Sequence, residues 1–349
     1  MTAREHYLVS LEADHSGRWD RVCQRFELGA PVSATLVGRR SHQMWRLTTD
    51  RGSYAIKELD PAATGGDRRW LQDAAELEAA AHIAGVPVAR RVFTSDGAAV
   101  LPVAPHPTGD VLVAVHHWIS DAHLPTRVSG RMVADLGVAL ARLHGLGMST
   151  RFSQPVGMWE MPTEAELDAV VEEAVARQLV WAAQLHRAKP AIRLIREMLQ
   201  ARHACNYRMI RTHRDVTQHN VVVSKDHLLL LDWDVAGPWS AAEELAATVA
   251  EWTEILEDQP RKDLAADLLR GYAAAGGTLP APEPGLFTTW LVKQVNWTML
   301  LARRSLDASC AQAEPPNDLD HLMRRLRRAP ERLPVLLDLL AGNGPGEPG

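Results

Sequence analysis

The chain has 349 residues, a formal net charge of −5 and three scattered cysteines, none in a CxxC arrangement. That length supports roughly two domains with sizeable cores; the acidic balance excludes nucleic acid as a partner, and the cysteine pattern excludes a disulfide scaffold. No stretch approaches the ~18 uninterrupted apolar residues of a membrane span, and Met1-Thr2-Ala3-Arg4-Glu5-His6 opens no apolar signal segment, so the expectation is a reduced, cytoplasmic protein without membrane contact.

The first third reads as β-rich with one helix. Short strands at Ala34–Val37 and Met44–Thr48 flank a polar loop, Gly38–Gln43, and a turn at Asp50-Arg51-Gly52-Ser53 leads into the strand Tyr54–Leu59. From Arg68 to Ala84 the chain is alanine-rich and free of Pro and Gly, which predicts a helix. Gly85-Val86-Pro87-Val88 ends it, glycine suiting the C-cap and proline preventing continuation. Strands follow around Ala98–Pro102 and Val111–Ile119. From about Ser129 helical patterns dominate, over Val133–Leu146, Thr163–Leu185, Ala191–Ala204, Ala241–Leu256, Asp263–Ala275 and Leu286–Leu306. A short β pair, Val221–Val223 and Leu228–Leu231, interrupts them around a turn at Ser224-Lys225-Asp226. The Gly/Pro-rich tail, 342–349, is expected to be disordered. The fold class is therefore α+β and bilobal, with a β-rich lobe over 1–117 and a larger, mostly helical lobe over 118–341.

The chemistry concentrates in His213-Arg214-Asp215-Val216-Thr217-Gln218-His219-Asn220, followed after an apolar strand by Asp232-Trp233-Asp234. The spacing H-R-D-x-x-x-x-N is a kinase catalytic-loop pattern. In that pattern Asp215 accepts the proton of a substrate hydroxyl, while Asn220 and Asp232 hold Mg²⁺ against nucleotide phosphates. His-x-Asp alone is common; the added amide and the strand-end acid give the match its weight.

Lys57 lies in Tyr54-Ala55-Ile56-Lys57, near the V-A-I-K pattern of a kinase strand. Strand alternation puts Ala55, Lys57 and Leu59 on one face, where Ala55 leaves room for an adenine ring and Lys57 reaches the α- and β-phosphates. A solvated edge lysine is the competing reading. A buried ammonium needs an opposite charge, and the helix at 68–84 offers Glu76 and Glu78, which differ by about 200° around the axis. Glu76 is the expected partner of Lys57, and Glu78 the expected surface residue.

These residues resemble the aminoglycoside phosphotransferase and choline kinase family, a branch of the protein-kinase-like fold. The likeness runs through Tyr54–Lys57, Gly85-Val86-Pro87-Val88, Leu140-Ala141-Arg142-Leu143-His144, His213–Asn220 and Asp232-Trp233-Asp234-Val235-Ala236-Gly237-Pro238. It implies Asp232 as the magnesium ligand with Asp234 secondary, a structural role for His144, and a backbone contact to adenine at the hinge, His116-His117-Trp118. It also implies ATP (or GTP) with Mg²⁺ as cofactors and a small hydroxylated molecule as acceptor. The chain departs from the family where Arg214 replaces a usual Gly and where Trp239–Leu245 replaces an Asp-Pro-x-x-x-Asp-Leu stretch. The loop Gly38–Gln43 also lacks triple glycine, so phosphate contacts there would come from backbone amides and Ser41.

Arg214 is protein-kinase-like, yet only Val235–Ser240 separates Asp234 from the next helix, leaving no platform for a peptide. The acidic run Glu164, Glu166, Asp168, Glu172 and Glu173, with Glu251, Glu254, Glu257 and Asp258, would suit a cationic acceptor; a solvated helical face is the competing reading. A metal-dependent hydrolase using His116, His117 and His123 with His213 and His219 is disfavoured, because adjacent strand residues face opposite ways. A kinase-fold protein that binds nucleotide or metabolite without turnover is the rival from another class.

Overall fold

Antiparallel strands dominate the first part of the chain. In the computed structural model the described residues are 15–39, 43–59, 68–106, 109–151, 160–202, 207–225, 227–307 and 316–342. Ser41 and the tail beyond Gly342 fall outside them. Helix α1 (His15–Arg25) precedes β1 (Pro31–Arg39), β2 (Gln43–Thr49) and β3 (Gly52–Leu59). Helix α2 (Arg68–Ile83), β4 (Arg91–Val92), β5 (Leu101–His106) and β6 (Gly109–His117) follow. The sheet runs β1-β2-β3-β6-β4, with β5 also paired to β6.

Alternation gives this sheet two apolar faces. Tyr54 and Ile56 of β3 join Trp45, Leu47, Val113 and Val115 against Trp19, Val22 and Phe26 of α1. Leu59, Leu112 and Ala114 cluster instead with Leu71 of α2, so Lys57, in register with Ala114, belongs to the α2 face. On the α1 face Glu58, fully buried, forms an ion pair with Arg18. The sequence reading assigns no element to α1.

Helix α2 ends as its sequence predicts. Gly85 takes φ 76°, the amide of Val86 donates to Ala81 O at 2.9 Å and that of Gly85 to His82 O at 3.1 Å. This left-handed C-cap suits a residue without Cβ.

The later elements are α3 (Gly130–Gly145), α4 (Glu164–Ala176), α5 (Ala182–Arg202), β7 (Met209–Thr212), β8 (Val221–Ser224), β9 (His227–Leu230), β10 (Gly237–Ser240), α6 (Ala241–Trp252), α7 (Asp263–Ala274), α8 (Thr288–Leu306) and α9 (Pro316–Leu340). The helix expected over 163–185 breaks after Ala176, where Gln178 takes φ 57° and the Leu179 amide donates to Ala174 O at 2.9 Å. Contacts divide the chain into two compact units: residues 1–126, 146–151 and 211–237 form one, and 127–145, 152–210 and 238–349 the other. In the second unit His144 is buried, 2.9 Å from Tyr272 Oη and 2.8 Å from Glu244 Oε2, which accords with a structural role. Burial, together with Glu244, pushes the Tyr272 hydroxyl up to about 12. No helix among the described residues is long and apolar enough to cross a membrane.

Candidate active site

The segment after β7 is braced by bonds within itself and to the hairpin that follows. His213, fully buried, sits 3.0 Å from Leu231 O through Nε2, and its Nδ1 accepts the Asp215 amide at 3.3 Å. Those partners fix the tautomer with its proton on Nε2, and the ring also packs on Trp233 at 4.4 Å. His213 thus braces the loop. Asn220 closes a short 3₁₀ turn, Gln218–Asn220, and its Nδ2 donates to Asp215 Oδ2 at 2.7 Å and Asp215 O at 3.0 Å.

β8 and β9 pair from Val221↔Leu230 to Ser224↔His227, and the Leu231 amide donates to Asn220 O at 2.8 Å. Asp232 therefore follows directly on the residue bonded to Asn220. The hairpin also joins the N-terminal part of its unit. The Leu230 amide donates to Pro87 O at 2.8 Å, and Val223 exchanges backbone bonds with His123.

Lys57 reaches the same place from β3. Its Nζ stands 2.7 Å from Asp232 Oδ1 and 2.5 Å from Asp234 Oδ2. Burial opposes the ammonium charge, but Asp234 and Asp232 outweigh it and hold the lysine above its ordinary value. The carboxylates differ in setting: the Asp234 side chain is 9% exposed and that of Asp232 41%. Ala55, on the same strand face, lies opposite His116 in the register.

Glu76 does not meet Lys57. Its Oε2 lies 3.0 Å from Arg151 Nη2 and 3.6 Å from Arg211 Nη1. Glu78 is no surface residue either; it is 1% exposed, 2.5 Å from Arg91 Nε and 3.0 Å from His116 Nε2. Burial alone would raise the Glu78 carboxyl, and Arg91 with His116 overcomes that and lowers it. The angular separation of the two glutamates is as expected, but each meets a cation other than Lys57. The lysine takes its counter-charges from the loop after β9.

At the hinge the amides of His117 and Trp118 donate inside the unit, to Arg90 O at 2.8 Å and Ser53 O at 3.0 Å. Both N–H groups are thus committed to the sheet, the His116 ring is engaged by Glu78, and Trp118 packs under Arg46 at 5.0 Å. An adenine contact through the amides of His117 or Trp118 would have to displace or share these bonds.

Asp232 and the Asn220 amide oxygen offer hard oxygen donors, the chemistry of a magnesium–nucleotide site in which phosphates and water complete the shell. Lys57 already sets a cation against Asp232, so the residues fit the group. Among the described residues no cluster of three or more His, Cys, Asp or Glu forms a closed protein cage. The acidic helix residues are mostly paired: Glu164 with Arg193, Glu166 with Arg303, Asp168 with Lys189 and Glu173 with Arg177.

Sequence reasoning overlooked Trp70, Asp73 and Arg211. Trp70 Nε1 donates to Asp234 O at 3.1 Å, and Arg211 Nη1 stands 3.0 Å from Asp73 Oδ1. Only the helical spacing of Trp70 and Asp73, i and i+3, hinted at a shared face.

A β-sheet unit carrying a lysine, joined by an Asp–Asn loop and a strand-end acid, defines the kinase-like class of phosphotransferase. The profile of the APH phosphotransferase enzyme family matches residues 34–277, and the chain belongs to that family. It is accordingly a phosphotransferase. Among solved structures it is similar to an amicoumacin kinase in complex with AMP-PNP, Ca²⁺ and Ami, at TM-score 0.62 and 13% identity over 97% of each chain. The spectinomycin phosphotransferase APH(9)-Ia, in complex with ADP and spectinomycin, matches at TM-score 0.58 and 10% identity, over 90% of this chain and 99% of that one. The choline kinase LicA from Streptococcus pneumoniae matches at 0.54 and 14%, over 90% and 97%. A comparison with curated protein sequences gives no match.

Proposed function

We propose that the enzyme transfers the γ-phosphoryl group of ATP (or GTP), chelated to Mg²⁺, to a hydroxyl of a small antibiotic or metabolite. The observation that carries this reading is the Asp215–Asn220 bond joined through β8 and β9 to the Lys57–Asp232–Asp234 cluster. Asp215, oriented by the Asn220 amide, accepts the acceptor's proton as its oxygen attacks the γ-phosphorus. Asn220 Oδ1 and Asp232 would hold the Mg²⁺, which when bound neutralises charge on the phosphates. Lys57 leaves Asp232 for the phosphate oxygens and keeps Asp234 as its counter-ion. The remaining catalysis is positioning and fixed charge, which is most of what phosphoryl transfer asks of a protein.

The names of the similar structures include antibiotic and choline kinases, and this supports an acceptor among hydroxylated antibiotics and amino alcohols. Dependence on ATP supports a cytoplasmic location. The test is incubation with ATP, Mg²⁺ and a panel of such acceptors, comparing wild type with Asp215→Asn. The variant should lose about 10²–10⁴ in kcat while ATP affinity stays within about twofold. An unchanged kcat overturns the base assignment. Tight ATP binding with no phosphorylated product from any acceptor would instead point to a nucleotide sensor.

A further inference from the structure

We infer that Trp70 is a positioning residue that locks the Asp215 loop to the Asp232–Asp234 loop. It lies in the first turn of α2, half-buried, and touches both segments. Its indole N–H bonds the Asp234 carbonyl at 3.1 Å, so it holds the backbone of the residue whose side chain holds Lys57. Its ring fills the space over Gly237: a Cβ built there would lie 2.5 Å from Trp70 Cζ2 and 3.3 Å from Arg214 Nη1. A glycine is required at that point because the indole takes the room.

On the other side the Arg214 guanidinium stacks at 5.6 Å from the Trp70 ring centre. Arg214 stands between His213 and Asp215 with φ 69°, in the left-handed region. That backbone is strained for a residue with a Cβ, and the guanidinium's contact with the ring opposes the strain. One turn further along α2, Asp73 takes Arg211, two residues before His213, at 3.0 Å. The same helix face thus grips the catalytic segment on both sides of His213 and the acidic loop at two points.

The inference rests on the proposed magnesium–nucleotide reading, and the experiment separates the two. ADP affinity is measured calorimetrically in EDTA and in excess Mg²⁺ for wild type, Trp70→Phe, Trp70→Leu, Gly237→Ala and the double variant combining Trp70→Leu with Gly237→Ala. Hydrogen exchange of residues 231–237 is followed without nucleotide. Trp70→Phe, which keeps the ring and loses one hydrogen bond, should lower the Mg²⁺-dependent gain in ADP affinity about threefold. Trp70→Leu should lower it further and speed exchange in 231–237 about fivefold or more. Gly237→Ala should damage the site less in the Trp70→Leu background than in wild type, because the clash is relieved. Variants that lower only Tm, with the Mg²⁺ gain and the exchange at wild-type values, overturn the inference. A wild type without any Mg²⁺ gain overturns the metal reading, and exchange then decides the role of Trp70 alone.

Discussion

Lys57 holds two carboxylates at once, and they are not equivalent. Asp234 is enclosed while Asp232 is partly open to water, so the first suits a resident counter-ion and the second a residue that changes partners. Removing one partner from a buried ion pair leaves an uncompensated charge, whereas exposed pairs contribute little. Asp234→Asn should therefore cost about 2 kcal/mol in urea unfolding, softened because Asp232 remains, and Asp232→Asn less than about 1 kcal/mol. Equal costs would refute the division of roles. The loop itself was legible in the sequence because Asp215 and Asn220 lie five positions apart in one rigid turn. The partners of Lys57 were not, since they stand 175 and 177 positions away and nothing local selects them over a nearby glutamate.

Among the elements, α2 shows where sequence patterns inform and where they stop. Its ends follow from alanine content and the Gly85 cap, but the burial of Glu78 depends on Arg91 and His116, which sit on β4 and β6. Loss of this carboxylate in Glu78→Ala should cost about 3–5 kcal/mol near neutral pH. Its folded pKa lies below the ordinary value of 4.5. The unfolded chain therefore binds the proton first, and the stabilisation, complete above pH 4.5, fades as pH falls through the folded value. Glu78→Gln should flatten the stability profile in that acid window, which pH-dependent thermal melts would read directly; an undiminished slope would remove Glu78 as its source. A helix breaker misled elsewhere. Pro190 lies inside α5, where the sequence reading starts a separate helix at Ala191. The break after Ala176 carries neither Gly nor Pro and left no signal.

For the whole molecule, the family order of motifs was readable end to end, because each motif is short and contiguous. The grouping of the chain was less so. Sequence places a lobe boundary between residues 117 and 118, whereas contacts gather 211–237 with the first 126 residues. That grouping depends on bridges such as Val88↔Leu230, which carry no compositional mark. The acidic surface likewise reads differently once pairs are known. Glu164 and Glu173 each face an arginine at partly exposed sites, so they add little net field. Converting both to Gln should change KM for any amino-bearing acceptor found by less than about twofold. A larger rise would restore the acidic helix as an acceptor-binding element.

The bridge between Val88 and Leu230 also constrains how the protein is made. Val88 joins the growing chain about 140 residues before its parallel partner Leu230. At ~5–20 residues per second that delay is on the order of ten seconds. Until Leu230 is made the backbone around Val88 lacks this partner, so the unit that gathers 211–237 with the first 126 residues is completed only late in synthesis.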